Sequence, residues 1–564
     1  MKTLLYSLCL LLPAGVLNAQ ETITIKDEDL QGGQTYTWTK DNVYQLDGFV
    51  YLEEGGVLNI EAGTLIKGKE VPSTTDLAST LIIARGAKIY AEGTPEEPIV
   101  FTSELYDPND NFLTVNDRGL WGGVIILGKA RIADEVSEVA VEGLPVDDPR
   151  ALFGGTDDND DSGVLRYVSI RHGGAELEPG EEINGLTLGA VGSGTVIEHV
   201  EVLANDDDGI EFFGGTVNVR FAAVAFCGDD AFDWDTGYRG KGQFWFALQG
   251  DDAADNGGEL DGAKPDDNEP HSEPTIFNAT FIGAGLNAAA DIKNTHALLM
   301  RDGTGGHFAN SIFTDFNKWA LQVEDRATGL DSYMRLQNGM ISFKNNLWWN
   351  FGEGSMLTNC DNDNSILVAT EDAEDPSCQA LVNHLADNGN ELADPQLRGI
   401  SRAENGGLDP RPTPDGPATQ NLAAYPNDGF FYEVPYKGAF DPNNSCIWIQ
   451  NWTALDEYGV LAPSFSCLTA TAEVSSDGFI LAQNSPNPVR GETAIEFTLP
   501  RAAVVSLEVF DLNGRPIARL LSNETLGAGV HHVRFDTAPL PAGLYRFSLL
   551  TEDVVLTRAM VVYK

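Results

Sequence analysis

Two acidic turns in the middle of the chain carry the side chains best suited to bind a cation. Asn205-Asp206-Asp207-Asp208-Gly209-Ile210-Glu211 is followed, at an offset of 22 residues, by Cys227-Gly228-Asp229-Asp230-Ala231-Phe232-Asp233. Carboxylates held close together need a cation, a raised pKa or contact with solvent, and oxygen donors on irregular turns suit Ca²⁺. The sequence therefore predicts a Ca²⁺ site built from Asp207, Asp208, Glu211, Asp229, Asp230 and Asp233. The alternative is that both motifs form tight turns whose carboxylates face water.

The same turns are similar to the paired acidic turns of β-helical polygalacturonases, which are inverting hydrolases. The resemblance makes four residues candidates for catalysis, because inversion needs two carboxyl groups with water between them: Asp207, Asp208, Asp229 and Asp230. It also implies a Gly-His-Gly motif about one coil further on and an Arg-x-Lys motif after it. This chain has Leu248-Gln249-Gly250-Asp251-Asp252 at the first place, and Arg239-Gly240-Lys241 comes too early for the second. The incomplete set favours binding over hydrolysis.

A polysaccharide lyase is the other enzymatic alternative, because it would need a basic residue beside Ca²⁺ to remove a proton. The available residues are Arg171, Arg239, Lys241 and Arg301, and no spacing distinguishes one of them. His172 and His199 fall on outward positions or turns and are predicted to be surface residues rather than ligands. A second acidic run, residues 157–161, is a further candidate for cation binding.

The segments that would position these residues form an internal repeat. Residues 197–212 align with residues 219–234 at the offset of 22. Alternate apolar side chains in such units would point inward and stack on their equivalents in neighbouring strands, about 4.8 Å away. Short strands broken by Gly, Asn and Asp, with almost no helical periodicity, predict a parallel β-helix over residues 20–352. Asn278, Asn310 and Asn345 each begin an Asn-x-x-aromatic pattern that is typical of a stacked Asn ladder at a turn.

The first coils support this fold by resemblance. Val57-Leu58-Asn59-Ile60 and Pro98-Ile99-Val100-Phe101-Thr102 resemble the opening of exported right-handed β-helices of the pectin-lyase-like fold. Three further stretches resemble a family of secreted bacterial proteins of unassigned activity: Arg118-Gly119-Leu120-Trp121-Gly122-Gly123, Arg171-His172-Gly173-Gly174-Ala175-Glu176 and Asp409-Pro410-Arg411-Pro412. The resemblance implies a right-handed solenoid, in line with the general crossover preference.

Residues 353–470 lose the repeat and gain Pro, Asp and Asn. They are predicted to form an irregular cap over the open end of the solenoid, since an uncovered sheet edge would recruit other chains. Cys360 with Cys378, and Cys446 with Cys467, are disulfide candidates in an exported chain, although the sequence leaves the pairing open. Cys227 is expected to be a buried small apolar residue. A linker at residues 471–478 follows.

Residues 479–564 show alternating strands punctuated by Pro and Gly, which predicts a small immunoglobulin-like antiparallel sandwich. Several motifs, in order, resemble the C-terminal sorting domain of type IX secretion cargo: Asn484-Ser485-Pro486-Asn487-Pro488, Val509-Phe510-Asp511, Ala542-Gly543-Leu544-Tyr545 and Arg558-Ala559-Met560-Val561-Val562. The resemblance implies that the type IX secretion machinery is a partner and that the protein reaches the outer cell surface or the medium.

The other end of the chain agrees with export. Lys2, the apolar run at residues 4–12 and Leu17-Asn18-Ala19 predict a signal peptide over residues 1–19, and no other apolar run approaches membrane-spanning length. The net charge of −50 lies between these ends, because the tail from Asp477 onward holds 9 acidic and 8 basic residues. Such a surface repels nucleic acid and anionic membranes and favours cations.

The sequence thus predicts an all-β exported protein, a right-handed parallel β-helix followed by an immunoglobulin-like β-sandwich. We expect a non-catalytic carbohydrate-binding, adhesive or structural role. Polysaccharide is the favoured ligand, because long solenoid faces present repeating shallow surfaces. The alternative is a polysaccharide lyase or glycoside hydrolase that acts on acidic glycans.

Overall fold

The computed structural model describes residues 20–562 apart from 109–111, 178–181, 264, 266, 290–291, 294, 327–328, 361–363, 369–377, 445, 463–472, 475–478, 483, 485–488, 490, 512–514, 542 and 552–553. The predicted signal peptide, most of the predicted linker and Cys467 lie outside the described residues.

Parallel strands wind into a β-helix with three faces. Face 1 contains Thr35–Trp38, Val57–Ile60, Lys88–Glu92, Thr275–Phe277, Gly306–Ala309 and Ile341–Lys344. Face 2 contains Glu21–Ile25, Asn42–Leu46, Leu65–Gly68, Ile99–Ser103, Thr280–Ile282, Ile312–Phe316, Leu347–Phe351 and Glu391–Leu392. Four long strands bend at the corner and belong to both faces: Gly163–Arg171, Val196–Leu203, Asn218–Ala225 and Lys241–Leu248. Face 3 contains Phe49–Leu52, Thr80–Ile83, Val124–Leu127, Leu186–Gly189, Ile210–Phe213, Phe232–Asp235, Gly258–Leu260, His296–Met300, Trp319–Val323 and Leu367–Val368.

The strand register follows the sequence repeat. Ile210 pairs with Phe232 and Phe212 with Trp234 on face 3, at the predicted offset. The inward side chains of all three faces form one continuous apolar core along the solenoid. Ring stacking, such as Phe232 on Trp245 at 4.5 Å between centroids, links neighbouring coils within that core. The predicted β-helix is confirmed.

The corner between faces 1 and 2 is a stack of residues with positive φ. Tyr167, His199, Phe221 and Phe244 hold this position in successive coils with φ of 50–60°, and their rings stack at 4.4–4.8 Å. The three Asn residues of the predicted ladder continue the same corner with φ of 52–57°. Their amides do not simply bond to one another, since Asn278 Nδ2 donates to Tyr436 O and Asn310 Nδ2 donates to Ala423 O.

The segment expected to cap the solenoid does two different things. The helix Gln379–Asp387 buries Leu381 and Leu385 against the end of the core. Residues 397–462, here called the strap, instead run back along the outside of face 2. The strap packs its apolar side chains against outward residues such as Ala223 and Phe246. An apolar outer face needs cover as much as an open end does, and this explains the path of the strap.

Short elements complete the solenoid region. The paired short strands are Val139–Ala140 with Leu152–Phe153, Gly354–Met356 with Asn364–Ser365, and Leu397–Gly399 with Asp409–Pro412. The other α-helices are Ser332–Gln337 and Ala454–Glu457, and the 3₁₀-helices are Asp27–Asp29, Pro149–Ala151 and Pro417–Thr419.

The tail forms two antiparallel four-stranded sheets around a separate core, as the predicted sandwich requires. One sheet contains Glu473–Val474, Ile480–Leu481, Glu492–Leu499 and Gly529–Asp536, and the other contains Ala503–Asp511, Pro516–Leu526, Gly543–Leu550 and Val555–Val562. Val505, Leu507 and Val509 point into this core at every second position, which is the alternation read from the sequence.

A disulfide joins Cys360 and Cys378, whose Cα atoms are 5.9 Å apart. Cys446 is also disulfide-bonded, and its predicted partner lies outside the described residues. Cys227 is a free, buried thiol in the main core. Burial raises the pKa of this thiol to about 12, so it stays protonated and unreactive.

Candidate metal centre

One column of polar side chains lies at the turn that leads into face 3. Asn184, Asp208, Asp230 and Asn256 hold equivalent places in four successive coils, here called the turn column. Gly185 N donates to Asp208 O at 3.0 Å, and the next turns are joined in the same way. The side chains add to this ladder, because Asp230 N donates to Asp208 Oδ1 at 2.9 Å and Asn256 N donates to Asp230 Oδ1. Two acids therefore sit where the flanking coils carry amides.

A second column lies beside the first, on the outer surface of face 3. Thr187, Glu211, Asp233 and Glu259 are paired in register, and the three acids are here called the acid column. Carboxylate oxygens of Asp208, Glu211 and Asp233 all lie within 4.8 Å of one another, and so do those of Asp230, Asp233 and Glu259. Asp233 thus belongs to two adjoining carboxylate triplets.

A third triplet, Asp229, Asp230 and Asp255, already has a counter-ion. Lys293 Nζ lies 3.2 Å from an oxygen of Asp229 and 3.4 Å from one of Asp255. At the other edge of the cluster, Arg301 contacts Glu259 and reaches Asp261 at 3.0 Å. These two cations lie at opposite margins of the cluster, outside the triplet of Asp208, Glu211 and Asp233.

The pKa values of these acids are raised. Burial is the largest cause for Asp208, Glu211, Asp230 and Asp233, and repulsion by neighbouring carboxylates adds to it. Burial and the charges of Glu182 and Asp229 raise the pKa of Asp207 to about 7. Burial also raises the pKa of Glu259 to about 7, although the nearby Arg301 opposes this. At neutral pH the cluster must therefore hold protons or gain positive charge.

Several charged residues elsewhere on the β-helix are paired with a residue of opposite charge. On the outside of face 1, Glu92, Arg166, Glu198 and Arg220 alternate in sign up the stack, with Arg166 2.8 Å from Glu92 and 3.5 Å from Glu198. In the acidic run at residues 157–161, Asp158 is paired with Arg131 and Arg239, and Asp161 with Lys88. Acid stacked directly on acid is peculiar to the cluster on face 3 among these examples.

Two buried oxygens mark the inside of this cluster. Asn184 Nδ2 donates to Glu211, while Asn184 Oδ1 makes no hydrogen bond within the described structure. Asp233 Oδ1 is likewise buried and has no hydrogen-bond partner there. Carboxylate and amide oxygens are the donors that a hard divalent ion such as Ca²⁺ prefers, in sets of six to eight. The residues present therefore fit Ca²⁺, with further positions open to water or a ligand.

The position of the cluster follows from how face 3 is covered. In the first coils the outward residues Tyr51, Ile82 and Ile125 are buried beneath the loop at residues 128–162, against Val141 and Leu144. The acid column begins two coils below Ile125, after Thr187, where this apolar cover ends. The cluster thus lies at the rim of the loop, and the charge of Glu142 on that loop acts on Glu211.

The sequence matches the models of two protein families. Residues 31–394 match the model of the pectate-lyase-like beta helix domain. The chain belongs to this family. Residues 485–563 match the secretion system C-terminal sorting domain, which indicates export by type IX secretion to the cell surface or beyond. No curated protein and no solved structure matches the chain. Among the described residues, no helix has both the length and the apolar character needed to span a membrane.

Five of the six predicted ligands belong to the carboxylate triplets of this β-helix protein, and the sixth, Asp207, acts on Asp208 and Glu211 through its charge. The sequence pattern was not recognised for further members. Glu259 shares a triplet with Asp230 and Asp233, and Asn256 N donates to Asp230 Oδ1. In the sequence, Asp255-Asn256-Gly257-Gly258-Glu259 repeats the pattern of Asp207-Asp208-Gly209-Ile210-Glu211. The coil from Asp233 to its partner Glu259 is longer than the 22 residues from Glu211 to Asp233, so a fixed offset does not reveal the match. The shared Asp-x-Gly-x-Glu pattern would have revealed it.

The prediction that His172 and His199 are surface residues is wrong. The strap covers both, and His172 Nε2 lies 2.8 Å from Tyr458 Oη of the strap. Burial lowers the pKa of His172 to about 4 and that of His199 to about 3, so both rings are neutral. Their positions do point outward, as predicted, but the strap turns that surface into an interior.

The basic residues considered for a lyase are dispersed. Arg171 is buried beneath the strap and paired with Glu457, Arg239 is paired with Asp158, and Lys241 with Asp428 of the strap. Arg301 is the one of these four that touches the acidic cluster.

Proposed function

We propose that this exported β-helix protein binds carbohydrate without catalysis and holds Ca²⁺ at the cluster on face 3. The observation that carries the proposal is the stack of Glu211, Asp233 and Glu259 beside Asp208 and Asp230, with Lys293 and Arg301 at its margins. A divalent ion would bridge the two triplets that share Asp233. Its remaining coordination positions would accept sugar hydroxyl or carboxylate oxygens at the rim of the loop.

The geometry supports binding more than hydrolysis. An inverting glycosidase needs its two carboxyl groups about 6.5–9.5 Å apart so that water fits between them. Of the four catalytic candidates, Asp229 and Asp230 share a triplet, and an oxygen of each member of a triplet lies within 4.8 Å of the others, which suits chelation of a shared ion. The coil that follows Asp229-Asp230 carries Asn256 rather than a histidine in the turn column, and a histidine, His296, takes that place one coil later than the polygalacturonase resemblance requires.

The lyase alternative depends on Arg301, the basic residue at the cluster. Burial works to lower its pKa, but hydrogen bonds to Asp261 and the charges of Asp261 and Glu259 outweigh burial and raise it. A base must give up its own proton before it can accept another. Arg301 is therefore better suited to hold a carboxylate, its own or that of an acidic glycan, than to remove a proton.

The test uses the mature chain, residues 20–564, on a panel of neutral and acidic polysaccharides. We expect retention of at least one glycan with Ca²⁺, loss of retention with chelator, and no new reducing ends or unsaturated products. The variant Asp233→Asn should bind less, whereas Asp428→Asn, which alters a strap carboxylate paired with Lys241, should bind like the wild type. Product release that disappears in Asp230→Asn would instead establish the enzymatic alternative.

A further inference from the structure

A second site lies on the same side of the β-helix, in the first coils. A cavity of about 570 Å³ opens where the chain leaves face 3 in three successive coils. Glu54, Arg85 and Lys129 come from those three turns, and the far wall is the loop at residues 138–157. The volume is within the range of small-molecule sites in proteins.

Three cations line this cavity in a chain whose net charge is −50, and one of them, Arg150, is already paired with Asp27 and Asp148. Arg85 is largely buried, and its Nη1 donates to Gly154 O at 3.1 Å, which fixes the guanidinium at the wall. Lys129 Nζ lies 2.8 Å from Glu54. Arg85 is thus fixed at the wall by a backbone contact, whereas Lys129 lines the same space with a side chain that is 39% exposed.

The carboxylates that now pair with Arg85 and Lys129 are exposed. Arg85 Nη1 lies 2.9 Å from Glu138, whose side chain is 45% exposed, and the Glu54 partner of Lys129 is 75% exposed. Exposed ion pairs contribute little stability. A ligand anion could therefore displace either glutamate at small cost, and the freed carboxylates would then accept hydrogen bonds from hydroxyl groups.

Donors and acceptors of this kind define a ligand class. A fixed guanidinium recognises a planar carboxylate or a sulfate oxygen pair, and carboxylates with backbone carbonyls accept from hydroxyl groups. We propose that this cavity, between Arg85, Lys129 and the loop at residues 138–157, binds a sugar residue that carries one carboxylate or sulfate group. The proposal rests on the proposed glycan-binding function and adds a subsite that needs no metal ion.

The experiment measures binding of glucuronate, glucose 6-sulfate and glucose to residues 20–564 by ligand-observed NMR, in chelator. We expect the two anionic sugars to bind and glucose to bind at least tenfold more weakly. Arg85→Gln should weaken the anionic sugars about tenfold or more, as expected for a lost charge-assisted hydrogen bond. Arg131→Gln, which removes an exposed arginine outside this cavity, should have no effect.

Each outcome bears on the proposal. Equal binding of glucose and glucuronate, or unchanged binding by Arg85→Gln, would overturn it. Should Arg85→Gln fail to fold, Lys129→Gln alters an exposed side chain and must show the same selective loss. Retention of a polysaccharide with Ca²⁺ but no anionic sugar in chelator would reject the cavity alone, whereas absence of all sugar binding would reject the glycan-binding function as well.

Discussion

Neutralising Asp233 should stabilise the metal-free protein and remove its response to Ca²⁺. Asp233 lies between Glu211 and Glu259, one strand spacing of about 4.8 Å from each. Two like charges at that distance repel by about 3 kcal/mol at an effective dielectric constant near 20. Asp233→Asn removes two such contacts and keeps the shape of the side chain.

The pH dependence has a definite sign. Asp207 and Glu259, whose pKa values are raised to about 7, hold more protons in the folded than in the unfolded chain between pH about 4 and about 7, and burial raises the pKa of Asp233 in the same direction. Stability from these groups is therefore greatest at low pH and falls as pH rises through this window. In chelator, the advantage of Asp233→Asn over the wild type should be small at pH 5 and large at pH 8.

Ca²⁺ should reverse this loss in the wild type. An ion present at 100 times its Kd adds about 2.7 kcal/mol, which corresponds to about 4 °C in Tm if the β-helix unfolds as one unit of about 350 residues. The assay is calorimetry of wild type, Asp233→Asn and Asp428→Asn at pH 5 and pH 8, with Ca²⁺ or chelator. The reasoning is refuted if Asp233→Asn melts no higher than the wild type in chelator at pH 8, or keeps the Ca²⁺ shift.

Three further predictions concern the other parts of the molecule. Deletion of residues 479–564 should leave the β-helix folded but retained in the periplasm, because the two regions have separate cores; normal secretion would contradict this. Glu201→Gln should loosen the strap, since this buried carboxylate accepts hydrogen bonds from Ala454 N and Leu455 N, and limited proteolysis should then cut within residues 397–462 first. Trp245→Ala should cost about 3–5 kcal/mol of unfolding free energy in denaturant titrations, because Trp245 is fully buried between Phe212 and Phe232.

The register of the β-helix could be predicted because the inward apolar residues of each strand recur at the same positions in the next strand of the stack. Inward residues such as Val200 and Val202 fall on Ala222 and Val224 at a constant offset, and the structure pairs them so. The offset changes where a turn lengthens, as between Asp233 and Glu259, because turns project into solvent and their length does not alter the stack. The residue pattern of a turn can therefore still be recognised when the turn lengthens, whereas a fixed spacing between coils can no longer be used.

The strap could not be placed from its own sequence, because it has few strands and no period. Its docking surface does leave a signal, since Trp245-Phe246-Ala247-Leu248 is apolar at every position rather than at alternate ones. A strand that is apolar on both sides must be covered on both sides. The same pattern predicts that His172 and His199, which lie on this side of the solenoid, are covered by another segment of the chain.

The stacked charges on face 1 and face 3 of the β-helix are arranged differently. On face 1, Glu92 and Glu198 each pair with Arg166 one strand away, so these charges are neutralised without a bound ion. On face 3 the same geometry repeats one sign, and burial makes water a poor substitute for a counter-ion. Such a stack weakens the fold unless something positive is bound, and extracellular Ca²⁺ sites of modest affinity work at 10⁻⁴–10⁻³ M. On our proposal the β-helix would therefore reach full stability only after export, where that ion is abundant, and its glycan affinity would arise at the same step.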